Sequence, residues 1–366
     1  VITHIELTDF RNYRQQAIDF SGGVTAIIGD NAQGKTSLVE AMTYLATLKS
    51  FKSLPNDALI RHGADSAYIR ATIVHEDGRE LLVEAEINRA GRNRVLVNKQ
   101  RLARSRDLLG VVRTTVFAPD DLDIVKEGPS GRRDLMDDAL VALNIRNDAL
   151  RLEVDRIVRQ RNVLLKQSGG KLTEDIATTL QVWDQKFVQS GAQLGEARAY
   201  LVAQLNPYVA QAYESLAGEP TPVELVYEPE WRRTGLASAL EAARTEDLRR
   251  GSSTVGPHHD DLGLWLKGMS AKAHASQGEQ RTLALALRLA IHRLITEKVG
   301  TPPVLILDDV LSELDPHRCA ALLNQVPPGQ TFITTAAVLP PAAHPNAIVT
   351  ISNGTVVSVQ HVEDQS

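Results

Sequence analysis

The stretch Gly29-Asp30-Asn31-Ala32-Gln33-Gly34-Lys35-Thr36 follows the apolar run Val24-Thr25-Ala26-Ile27-Ile28 and leads into Ser37-Leu38-Val39-Glu40-Ala41-Met42. It matches G-x-x-x-x-G-K-[ST] with a strand before it and a helix after it, the context the pattern requires. In such a loop the backbone N–H groups and the helix N-terminus converge on phosphate oxygens, and a side chain at Gly34 would obstruct close approach. Lys35 brings positive charge to the β- and γ-phosphates, and Thr36 offers a hydroxyl ligand for Mg²⁺. Gly29, Asp30, Asn31, Ala32, Gln33, Gly34, Lys35, Thr36 and Ser37 are therefore candidate nucleotide contacts. The bland alternative is a glycine-containing turn that happens to precede Lys-Thr, and the flanks argue against it.

A second element completes such a site. Val304-Leu305-Ile306-Leu307 ends in Asp308-Asp309, an apolar strand terminating in two carboxylates. Ionised carboxylates are costly to bury without a cation or donors, and Mg²⁺-nucleotide removes that objection. Asp308 is then the candidate Mg²⁺ ligand beside Thr36, and Asp309 the group that polarises the attacking water, so Lys35, Asp308 and Asp309 form the candidate catalytic set. A third element, Ser276-Gln277-Gly278-Glu279-Gln280, opens an apolar helix over 281–298 and offers a hydroxyl and free N–H groups to an anion. Alone it is also consistent with a helix cap. With the acidic strand and Ser312-Glu313-Leu314-Asp315 downstream, it resembles the signature and D-loop of ABC-type ATPases. That resemblance implies two ATP molecules sandwiched in a head-to-tail homodimer, with Ser276, Gly278, Glu279 and Asp315 facing the partner's nucleotide.

Working outward, residues 1–29 and 67–118 read as strands, and the helix after the loop is expected over 36–48. Between 129 and 213 turn chemistry is sparse except at Ser168-Gly169-Gly170, which divides two helical stretches, 146–167 and 173–216. These predict an antiparallel helical hairpin whose first arm extends only ~33 Å. Beyond 217 the α/β pattern returns and closes on a hairpin at Asn353-Gly354. The fold class expected is α/β: an ABC-type ATPase head (P-loop NTPase) split over 1–128 and 217–366, with an inserted helical lobe at 129–216.

The 366 residues, 43% hydrophobic and 23% charged, need no disulfide or metal to build a core. Cys319 is alone, which favours a reducing cytosol. No apolar run approaches the ~18 residues of a membrane span. The opening VITHIELTDFRNY alternates like a strand, so neither a secretory leader nor a membrane partner is expected. A net charge of −5 excludes a uniformly cationic protein without excluding nucleic-acid binding by a local patch. Aromatic residues at 4% disfavour a base-stacking platform, and no Cys or His spacing suggests a zinc site.

Three further segments narrow the resemblance: Leu7-Thr8-Asp9-Phe10-Arg11-Asn12-Tyr13; Pro119-Asp120-Asp121-Leu122 with Ile124-Val125-Lys126-Glu127-Gly128-Pro129-Ser130-Gly131-Arg132-Arg133; and Ser253-Thr254-Val255-Gly256-Pro257-His258-His259-Asp260-Asp261. Together with the loop and acidic strand they span residues 7–318 in order, and the chain resembles the RecF family of bacterial DNA replication and repair ATPases. The resemblance implies ATP-dependent dimerisation on single-stranded, double-stranded and gapped DNA, slow DNA-dependent hydrolysis, and loading of RecA with RecO and RecR. The chain departs from the pattern at Ala32, where glycine is common, and at His259, where arginine is expected. Transporters carry Glu at the position of Asp309 and a γ-phosphate-sensing His near Thr334-Thr335, and their absence fits slow, regulated hydrolysis.

Between Asn88 and Arg106 stand seven basic residues and no acidic one: Arg89, Arg92, Arg94, Lys99, Arg101, Arg104 and Arg106. These are the candidate DNA-phosphate contacts, with simple solubility as the alternative. In the helical lobe Arg146, Arg151, Arg156, Arg159 and Arg161 interleave with acids, and there a solvated helix face is at least as consistent. His258 fits either a turn or the rim of the nucleotide site. The competing function is an ABC-type motor or regulatory subunit unrelated to DNA; a transporter motor is disfavoured by the 241 residues between Lys35 and Ser276, and a long SMC-like coiled coil by the short helical arm.

Overall fold

The computed structural model describes residues 1–326 and 328–362 and divides into two compact units. The first comprises residues 1–121, 214–219 and the described residues from 285 onward, and the second residues 122–213 and 220–284.

The first unit is built on two six-stranded sheets. One is antiparallel, with Tyr13–Asp19 at one edge, then Ile2–Phe10, Ser66–Val74, Glu80–Asn88, Arg94–Val97 and Gln100–Arg101. Its strands alternate buried and exposed residues, as a sheet with one face on the core requires. The other sheet runs Thr355–His361, Ala347–Ser352, Val24–Ile28, Thr331–Thr335, Val304–Asp308, Thr114–Phe117. Its last five strands are parallel, and the first closes it antiparallel through the expected hairpin at Asn353-Gly354. Val304–Asp308 and Thr331–Thr335 are buried at every residue, the pattern of central parallel strands.

The helix Lys35–Thr47 lies against strands of both sheets. Leu38, Val39, Ala41, Met42 and Leu45 are all fully buried in a core shared with Ile5, Ile27, Ile69, Ile306 and Phe332. A helix apolar on nearly every side must be buried on nearly every side. Truncating Leu38 to alanine there removes about 2–5 kcal/mol.

The second unit contains Pro129–Leu143, Arg146–Gln167, most of Glu174–Ala217, Leu236–Arg250 and a three-stranded sheet ordered Met269–Ser270, Gly263–Leu266, Val223–Val226. Arg146–Gln167 and Glu174–Ala217 run antiparallel: Arg161 meets Asp184, while Leu165 four residues on packs with Leu180. Arg161 is completely buried, its guanidinium bonded to Asp184 (2.7 Å), Asp247 (2.7 Å) and the Ser253 hydroxyl (2.8 Å). This corrects its reading as part of a solvated or DNA-facing helix surface, because a buried charge needs buried counter-charges and here has them. Arg198, also buried, makes a bidentate pair with the single carboxylate of Asp137.

These units divide the chain differently from the expected lobe at 129–216. Residues 220–284, read as a return to the head, share a compact unit with the helices, and Asp247 and Ser253 supply part of the reason.

Candidate nucleotide site

The phosphate loop joins Val24–Ile28 to Lys35–Thr47, and the acidic strand lies two positions away, with Thr331–Thr335 between them. All three run parallel, so their carboxyl ends open on the same edge, where ligands bind in open α/β sheets.

Glycine is required twice. A Cβ at Gly29 (φ 156°) would stand 2.3 Å from the Ile351 carbonyl oxygen, and one at Gly34 (φ 115°) 2.6 Å from Asn12 Nδ2. Ala32 sits at φ 62°, a left-handed conformation that costs an alanine about 1 kcal/mol relative to glycine. Lys35 is 4% exposed and folds back over its loop, Nζ donating to the carbonyls of Gly29 (2.8 Å) and Asp30 (2.9 Å). The Gln33 carbonyl accepts from Gly354 N (2.9 Å) and Asn12 Nδ2 (3.1 Å), and the Gly34 carbonyl from Tyr13 Oη (3.0 Å).

Asp308 receives two hydroxyls on one carboxylate oxygen, Thr36 at 2.9 Å and Thr334 at 2.7 Å. Burial pushes its carboxyl above the ordinary range, opposed by those hydroxyls and by the charge of Lys52. Asp309 takes φ 54°, its amide donating to the Thr334 hydroxyl (3.1 Å) and carbonyl (3.1 Å).

A cavity of about 530 Å³ opens here. Asn31, Ala32, residues 34–37 and Asp309 line it, so the fold brings the phosphate loop and the end of the acidic strand together. Gly29, Asp30, Gln33 and Asp308 are not among the residues that line it. Sequence reasoning missed Arg11, Asn12, Lys52 and His62, which line the same cavity from two other segments. The Phe10-Arg11-Asn12-Tyr13 run carried the only local signal.

The remaining candidates fall elsewhere. Ser276, Gly278 and Glu279 belong to the second unit. Ser276 caps the helix Gln277–Val299 reciprocally: Glu279 Oε2 accepts from the Ser276 amide (2.8 Å) and hydroxyl (2.9 Å), and Ser276 Oγ from the Glu279 amide (3.3 Å). The Ser276 amide, then Lys267 and the Ser276 hydroxyl, hold the Glu279 carboxyl down at about 2. Asp315 caps Pro316–Gln325, accepting from Arg318 N at 3.0 Å. His258 and His259 both direct Nε2 at the Ser253 carbonyl (3.2 and 2.9 Å), and neither lines the cavity. Asp121 accepts from Arg288 (2.6 Å) and the Ala118 amide (2.9 Å).

The basic cluster spans the loop between Glu80–Asn88 and Arg94–Val97, the last two strands of the antiparallel sheet with their turn, and the segment after them, and all seven residues are exposed. Asn98 (φ 51°) and Lys99 (φ 65°) form the two-residue turn between Arg94–Val97 and Gln100–Arg101. The fold returns some acid to the cluster: Arg94 lies 3.4 Å from Glu86 on the neighbouring strand, and Arg104 3.2 Å from Asp107.

A parallel sheet carrying this loop, with an acidic strand one strand removed, defines a P-loop NTPase of the ABC-type head class. The family model described as RecF/RecN/SMC N terminal domain matches residues 1–338. The protein described as DNA replication and repair protein RecF from Streptomyces avermitilis is 41% identical, over 98% of this chain and all of its own length. That of a Nocardioides strain is 39% identical with the same coverage. A solved structure of the recombination mediator protein RecF-ATPrS in the RecFOR pathway superposes with a TM-score of 0.89 at 29% identity, over 97% of both chains. An SMC head domain from Pyrococcus furiosus shares the fold (TM-score 0.59, 17% identity, 99% of this chain and 96% of its own). The chain belongs to the RecF family of DNA replication and repair proteins.

Proposed function

We propose that the cavity binds ATP and that the chain is a weak, DNA-dependent ATPase of recombinational repair. The observation that carries the reading is the Thr36–Asp308 hydrogen bond, which joins the phosphate loop to the end of the acidic strand across 272 residues of sequence. Two hard oxygen donors from separate elements suit Mg²⁺, and such a cation would account for why an apolar strand ends in a buried carboxylate. Mg²⁺, held by Thr36 and Asp308, would neutralise charge on the β- and γ-phosphate oxygens. Lys35 exchanges its two loop carbonyls for phosphate oxygens, and the amides of the loop bind the phosphate from beneath. Asp309 accepts a proton from, or orients, the attacking water at the cavity wall.

Ser276, exposed at its helix start, serves the nucleotide of a second copy, so ATP closes a homodimer and hydrolysis opens it. DNA lies along the basic cluster through phosphate contacts, at single-stranded, double-stranded and gapped sites. By family likeness the partners are RecR and RecO in the loading of RecA. The alternative, an ABC-type motor unrelated to DNA, is distinguished by one experiment. Binding to a gapped duplex is measured by gel shift with and without ATP, beside liposomes as a control. Binding to gapped DNA that strengthens with ATP, at a mass corresponding to two copies, supports the repair reading. ATP turnover without any DNA response supports the alternative.

A further inference from the structure

The helix that follows the phosphate loop buries one carboxylate completely, that of Glu40. Its two oxygens go to two segments remote in sequence. Oε2 pairs with Arg11 Nε at 3.0 Å, and Oε1 accepts from the Ser50 hydroxyl. Both segments continue into the cavity wall. Arg11 itself lines it, and Ser50 Oγ accepts the amide of Lys52 (3.1 Å), whose side chain also lines it.

The backbone at Arg11 adds a second, independent observation. Phe10 pairs with Tyr13, leaving Arg11 and Asn12 as a two-residue hairpin loop. Arg11 takes φ 53° in it, at the first central position, where such turns favour glycine. A side chain kept in a left-handed conformation needs surroundings that over-determine it, and such positions cluster at ligand sites. Glu40 on the guanidinium, with the Ala58 carbonyl on NH1 (3.0 Å), supplies that determination.

We infer that Glu40 is a positioning residue, a single buried carboxylate that sets the two cationic walls of the cavity, Arg11 directly and Lys52 through Ser50, for an anionic ligand. The inference rests on the nucleotide reading of the site. Glu40 touches no ligand itself; losing it would leave the phosphate loop intact while Arg11 and Lys52 point less accurately.

MgATP binding is measured by calorimetry, with thermal unfolding alongside, for the wild type, Glu40→Gln, Ser50→Ala, Arg11→Ala and two double variants. Glu40→Gln should weaken MgATP binding roughly tenfold, the scale of one lost charge-assisted contact. Ser50→Ala, which leaves the Arg11 pair in place, should weaken it severalfold. Arg11→Ala/Glu40→Gln should lose less than the sum of the two single losses, because the Arg11 share of Glu40's effect is already gone in Arg11→Ala. Arg11→Gly/Glu40→Gln removes both the strained residue and the buried charge. It should melt within a few degrees of wild type while still binding MgATP weakly, which separates positioning from folding. Wild-type affinity in both Glu40→Gln and Ser50→Ala, or additive losses in the Arg11→Ala double variant, would overturn the proposal. A wild-type protein that fails to bind MgATP would overturn the nucleotide reading, and this inference with it.

Discussion

The Thr36 hydroxyl and the Asp308 carboxylate stand 2.9 Å apart, with the Thr334 hydroxyl 2.7 Å from the same carboxylate oxygen. One strand end, one loop and the intervening strand thus meet at a single atom. This arrangement makes separable expectations for each residue around it.

Lys35→Met should abolish ATP binding, since the phosphates lose their main side-chain cation. Asp309→Asn should bind ATP normally but hydrolyse it at least tenfold more slowly and prolong any dimer. Hydrolysis at the wild-type rate in Asp309→Asn would show that the proton acceptor is another group.

Thr334→Val keeps the shape of the strand but removes the hydroxyl that donates to Asp308 and accepts from the Asp309 amide. Turnover should fall about tenfold and the Mg²⁺ requirement should rise, through one charge-assisted bond lost at a buried carboxylate. Titrating Mg²⁺ at fixed ATP checks this. Thr36→Ala should shift the same titration further.

Ser276→Arg tests whether the site is completed by a second copy. ATP binding by the monomer should persist, while dimerisation and turnover fail. Mixing Ser276→Arg with Lys35→Met gives heterodimers with one doubly damaged and one intact site, so some activity should return. If Ser276→Arg alone loses ATP binding and the mixture stays inactive, the serine serves its own subunit.

On the surface proposed to bind DNA, Arg92, Lys99 and Arg101 are the informative residues, because Arg94 and Arg104 already face Glu86 and Asp107. Replacing the three by alanine should weaken binding to all sequences alike and reduce the slope of affinity against salt by about two to three. An unchanged slope would move the interface elsewhere.

His292 is 1% exposed, its Nδ1 3.1 Å from the Thr115 hydroxyl. Burial, then the charge of Arg293, lowers its pKa from 6.5 to about 4. Between those values the unfolded chain takes up a proton that the folded chain refuses. Its contribution to stability is therefore complete above pH 6.5 and declines as pH falls toward 4. Between pH 7 and pH 5 the loss is about 2 kcal/mol. Urea unfolding of wild type and His292→Leu at both pH values should show a smaller decrease in the variant.

Much of this molecule can be read without coordinates. The strand, loop and helix around Lys35, the buried strand ending at Asp308 and the hairpin at Asn353-Gly354 all follow from periodicity and turn chemistry. Those depend on residues a few positions apart, so they are written locally. The cap at Ser276 is legible for the same reason: Glu279 lies three residues away, one helical turn. What the chain cannot announce is which distant segments meet. A basic residue at helical spacing looks alike whether it faces water or, as Arg161 does, Asp184 and Asp247 at separations of 23 and 86 residues. For that reason the helical unit reaches into 220–284 without a compositional signal. Glu40 presents the same problem inside the site. In sequence it is one polar residue in an apolar helix, and its meaning appears only when burial brings Arg11 and Ser50 to its two oxygens, where a bare charge would be too costly to keep.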